Sequence, residues 1–111
     1  MNLQLAESLA NVIVALQTED YSLFQDALLV QMIRKTPGLA GGYACIRNTR
    51  ITVWTLISLM NQGANDQELL RNFPGLKLFD LVVARSYYSG FKEEIDEQIS
   101  FHHQEVESTE C

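Results

Sequence analysis

The sequence predicts a mostly α-helical domain: a three-helix, helix-turn-helix bundle behind a small β element, with extra helices at both ends. Three observations predict it. Residues 53–89 hold three apolar periods of helical length, separated by the short breaks Gly63–Ala64 and Pro74–Lys77. Just before them, the stretch 36–53 carries three of the six glycines and one of the two prolines, then β-branched Ile51 and Val53. A sharp turn must therefore lead into a short extended piece. Finally, apolar residues recur at helical spacing outside this region, from Leu5 onward and again from Phe91 to Ile99.

The first helix follows from Leu5, Leu9, Val12, Ile13 and Leu16 on one face, with Glu7, Ser8, Asn11 and Gln17 on the other. Thr18-Glu19-Asp20 breaks that pattern. Leu23 to Leu28 suits a second helix, and Leu29 to Ile33 alternates enough to form a short strand entering the turn. Residues 1–33 carry no chemistry. They are expected to cover the core or to serve in self-association.

Residues 34–96 form the central domain. Its first helix spans Val53 to Gln62, with Val53, Leu56, Ile57 and Met60 inward and Gly63 at its end. Asn65 and Glu68 have the spacing of a capping box, which opens a helix burying Leu69, Leu70 and Phe73. The third helix runs from Leu78 to Ser89. Its expected inward face is Leu78, Phe79 and Val82, which would leave Lys77, Asp80, Ala84 and Tyr87 outward. In a helix-turn-helix unit this third helix would enter the major groove, yet the outward face so drawn is nearly neutral.

Beyond Gly90, Phe91, Ile95 and Ile99 form a narrow stripe among acids. A stripe that thin needs a surface to lie on, in this domain, a second copy or a partner. Residues 97–111 are read as an acidic tail, fraying from Ser100.

At 111 residues and 47% apolar, the chain has enough apolar material for one core, which self-association would help. No signal peptide or membrane span is read, and a soluble cytoplasmic protein is expected. The net charge of −6 is segregated. Residues 1–33 hold four acids and no base, residues 34–92 eight bases against three acids, and residues 93–111 seven acids and no base. Either the basic middle meets an anion, or the acidic ends fold over it.

Catalysis and cofactors are not expected. The two histidines, His102 and His103, are adjacent and diverge by about 100° on a helix, so they share no metal. Gly41-Gly42 lacks the Gly-Lys-Ser/Thr of a phosphate loop. Cys45, between Ala44 and Ile46, reads as a small buried hydrophobe. The candidate DNA contacts are Arg47, Arg50, Lys77, Arg85 and Tyr87. Arg47 and Arg50 either clasp phosphates or a partner's carboxylates, or tie down backbone carbonyls and the acidic tail. Trp54 lies off the main buried face and belongs either to a second packing face or to an interface. With Phe91, Ile95 and Ile99 it makes the candidate partner-binding set.

Several short runs carry a resemblance: Thr36-Pro37-Gly38, Gly41-Gly42, Cys45-Ile46-Arg47-Asn48-Thr49-Arg50-Ile51, Val53-Trp54-Thr55-Leu56, Gln62-Gly63-Ala64, Phe73-Pro74 and Glu93-Glu94-Ile95-Asp96. In this order and spacing, Ile33 to Asp96 resembles the domain-of-unknown-function 433 family (DUF433) of small prokaryotic proteins, its cyanobacterial members most. The resemblance implies a homeodomain-like three-helix domain behind a small β element. It also implies the antitoxin half of a toxin–antitoxin pair, a non-catalytic regulator that would bind a PIN-like nuclease and, as a regulator, its own promoter DNA. A homodimer is expected. The alternative is a protein-interaction module without DNA binding. Family members usually carry Thr where Lys77 stands, and many carry Trp at the place of Arg85. A lysine side chain cannot accept the capping bond that Thr would.

Overall fold

Local chemistry sets the element boundaries. In the computed structural model, which describes residues 2–38 and 40–110 (backbone alone for 40 and 104–110), Asn2 caps the first helix, α1 (Leu3–Ala15), by accepting the Leu5 N–H at 2.9 Å. Leu16 and Gln17 are extended, and α2 (Thr18–Met32) follows with Glu19 and Asp20 in its first turn, where the helix dipole favours acids. The expected strand over residues 29–33 is shorter than its alternation suggests. The helix continues to Met32, and β1 is Ile33–Arg34 alone.

β1 pairs antiparallel with β2 (Cys45–Ile46), with Ile33 opposite Ile46 and Arg34 opposite Cys45. Between them lies a glycine turn in which Gly38, Gly41 and Gly42 all have positive φ, a region that a Cβ disfavours. After β2 the chain doubles back: the Ile46 N–H donates to the Ile51 carbonyl, and Val53 N–H to the Ala44 carbonyl, both at 2.9 Å.

The three-helix unit is then α3 (Val53–Asn61), α4 (Asp66–Asn72) and α5 (Leu78–Gly90). Thr52 caps α3. The Asn65–Glu68 capping box forms as the spacing predicts, with the Glu68 N–H 2.9 Å from Asn65 Oδ1. Gly63 (φ 105°) and Gly75 (φ 94°) supply the tight turns. A last helix, α6, spans Lys92–Glu110, so no break separates the central domain from residues 97–110, where fraying was expected from Ser100.

The core gathers Ile46, Val53, Leu56, Leu69, Leu81 and Ile95, each 0% exposed. Ile95 is a correction to the candidate partner-binding set, and of the surfaces open to its stripe the structure supplies this domain's own. Ile95 is buried against this chain's own three-helix unit, with Ile99 partly buried beside it. α1 is the opposite case. It contains no buried residue, and Leu3, Leu5, Leu9, Val12 and Val14 are 55–79% exposed. Its ties to the body lie at the corner, where Ile13 and Leu16 are half-buried and the Tyr21 hydroxyl donates to the Ile13 carbonyl at 3.0 Å. The molecule is correspondingly long, 56 × 30 × 27 Å, with a radius of gyration of 16.1 Å. A compact chain of this length would have about 13 Å. Among the described residues no helix is long and apolar enough to cross a membrane.

Candidate functional site

The site is the outward side of α5, and its composition depends on which way α5 is rolled. Asp80 decides that. It is 1% exposed, and the Arg47 guanidinium grips it with two hydrogen bonds, Nε to Oδ1 at 2.9 Å and Nη2 to Oδ2 at 2.6 Å. Asp80 Oδ2 also accepts the Lys77 N–H at 2.8 Å, so the first turn of α5 is capped from its third residue rather than by Lys77. Arg47 beside it holds the Asp80 carboxyl below the usual carboxylate range, against the opposing effect of burial. Arg47 itself sits at φ 45°, donates to the Gly75 carbonyl, and its N–H meets the Met32 carbonyl at 2.7 Å.

With Asp80 inward, Leu81, Val83, Ala84 and Tyr87 are also inward. Leu78, Phe79 and Val82, expected inside, are outside at 58%, 50% and 49% exposure. The far end of α5 is held by a second polar knot. The Tyr87 hydroxyl donates to Glu94 Oε2 at 2.6 Å, and Lys35 Nζ meets Glu94 Oε1 at 2.7 Å. Burial alone would raise the Glu94 carboxyl, but the bonds from Lys35 and Tyr87 outweigh it and lower it. Burial, then the bond to Glu94, pushes the Tyr87 phenol up.

The candidate DNA contacts are therefore scattered in role. Arg47 is spent on Asp80. Tyr87 is 5% exposed and bonded inward. Arg85 pairs with Asp66 on α4 at 2.6 Å. Arg50 and Lys77 are exposed and, among the described residues, form no ion pair. Of the partner-binding candidates, Phe91 is 47% exposed although it stacks on Tyr87 at 4.5 Å. Trp54 belongs to a second packing face: the His102 ring stacks on it at 4.0 Å and 15°, seating α6 on α3. His102 Nδ1 lies 2.7 Å from the Gln98 carbonyl. The sequence reading placed His102 in the tail. Its spacing from Ile95 and Ile99, seven and three residues, is the signal that could have found it. Burial pushes the Cys45 thiol up, away from the reactive thiolate.

The family model described as "Protein of unknown function (DUF433)" matches residues 33–88, from β1 through most of α5. The crystal structure of a DUF433 member protein from Anabaena variabilis, at 2.00 Å resolution, is 47% identical, covers 90% of this chain and 99% of its own, and superposes with a TM-score of 0.62. The chain belongs to the DUF433 family. No curated protein matches it. Within this DUF433 chain, the matched segment contains both ends of the Arg47–Asp80 pair and the outward residues Leu78, Phe79, Val82 and Arg85 of α5, whereas α1 and α2 lie before it.

Proposed function

We propose that this DUF433 chain is a non-catalytic protein-interaction module, acting as the antitoxin-like half of a toxin–antitoxin pair. The observation that carries the reading is the outward face of α5. Leu78, Phe79 and Val82 are about half exposed there, and the nearby cation Arg85 is already paired. Such a face suits the apolar core of a protein interface, where charge is depleted. It suits a phosphate backbone poorly, since that needs unpaired cations. The family resemblance supplies the partner class, a PIN-like nuclease.

The test is co-purification with the product of a neighbouring PIN-like reading frame, with affinity measured for wild type, Phe79→Glu and Val82→Glu. Each charge is expected to weaken binding at least about tenfold, or 1.4 kcal/mol. Unchanged affinity in both variants would end this reading. The reading as a DNA-binding regulator of its own promoter rests on the order α3–α4–α5 and on the exposed cations Arg50 and Lys77, which form no ion pair among the described residues. It is tested by anisotropy on a duplex from the gene's upstream region against a scrambled one, across a salt series. The expected result is equal and weak binding to both. Preference for the native duplex, lost in Lys77→Ala, would replace the interaction module with a sequence-reading regulator.

A further inference from the structure

The monomer exposes more surface than a folded chain of its size should. Its accessible area is 7929 Å². A monomeric protein of 12.6 kDa is expected to expose about 6,200 Å². The excess of about 1,700 Å² exceeds the roughly 800 Å² that each partner buries in a standard interface and falls in the range of obligate dimers. Much of the exposed apolar material is on α1, whose apolar side chains contact so little of their own chain. α1 also carries a single charge, Glu7, so little in it resists leaving water.

A matching seat exists elsewhere on the molecule. An open groove of about 560 Å³ runs between α2 and the junction of α5 with α6, lined by Leu29, Val30, Ile33, Tyr87 and Phe91, with Asp26 and Lys35 as its charged groups. Val30 is 75% exposed. No residue of α1 lines this groove, and the Tyr21–Ile13 bond holds the corner that leads α1 elsewhere. We propose that two copies of this chain exchange α1, each laying its Leu5, Leu9 and Val12 face into the α2–α5–α6 groove of the other. The contact is made twice around a two-fold axis, as self-complementary dimers require. It leaves Leu78 and Phe79 uncovered and is independent of whether a nuclease binds there.

The test is mass by light scattering on the full chain at tens of micromolar, using three proteins: wild type, Leu9→Glu/Val12→Glu, and Val30→Glu. Wild type is expected at twice 12.6 kDa and both variants at 12.6 kDa. The near-ultraviolet circular dichroism of Trp54, stacked within the body, should be unchanged, which excludes unfolding as the cause. Mixing the two variants is the decisive arm. The copy with an intact α1 can seat in the copy with an intact groove, so a heterodimer returns with one of its two contacts. A monomeric wild type, a dimer that survives Leu9→Glu/Val12→Glu, a Val30→Glu protein that stays dimeric, or a mixture that stays monomeric would each overturn the exchange, the dimeric Val30→Glu in favour of α1 pairing with α1.

Discussion

Arg47→Ala is expected to remove about 3 kcal/mol of stability, the lower end of what breaking a buried ion pair costs when one partner is left behind. The lower end applies because only Asp80 is fully buried, at 1% exposure, whereas the Arg47 side chain is 29% exposed. At about 4 °C per kcal/mol for a chain of this length, the melting temperature should fall by more than 10 °C. Arg50→Ala, three residues on in the same loop, is expected to change stability by less than about 0.5 kcal/mol. Thermal melts of the two variants side by side check this, and equal melting temperatures would show that the pair does not hold α5.

The same carboxyl sets a pH dependence. Asp80 is held below its ordinary value by Arg47, and Glu94 is lowered by Lys35 and Tyr87. A lowered folded-state value means stability that is present above the unfolded value, near pH 4, and is lost as the pH falls through the folded one. Lys35 and Tyr87 are raised, so their share is present below about pH 10 and lost above it. Urea midpoints measured from pH 7 down to 3 should fall in wild type. They should fall less steeply in Arg47→Ala, which has already lost the Asp80 share.

Ile95→Ala is the second large effect. Ile95 is 0% exposed, and truncating such a side chain leaves a cavity costing about 3 kcal/mol. Glu97→Ala, two residues on and exposed, should leave the urea midpoint within error. A small effect at Ile95 would mean that α6 does not share the core, returning its stripe to the role of a partner-binding surface.

Local chemistry was legible in the sequence and long-range chemistry was not. The Asn65–Glu68 box, the glycine turns and the helical period of α3 are written within a few residues of where they act. The roll of α5 is not. Leu78, Phe79, Leu81, Val82, Val83 and Ala84 put apolar groups nearly all round the helix, so periodicity alone cannot choose its buried face. Asp80 looks like a solvent-facing residue until its partner is known, and that partner lies 33 residues earlier. The same holds for Tyr87, whose inward hydroxyl is answered by Glu94, and for His102, whose ring is answered by Trp54 on a different helix. Drawing α5 the wrong way round hid the apolar face that now forms the candidate site.

The near-independence of α1 from the core also bears on how such a chain can vary. A substitution at Leu56 or Leu81 is judged first on whether the protein folds at all. A substitution among the thirteen residues of α1 escapes that judgement almost entirely and is judged on assembly. Drift in this one helix could therefore alter which chains associate, or separate two duplicated copies into non-mixing assemblies, while the three-helix body stays the same.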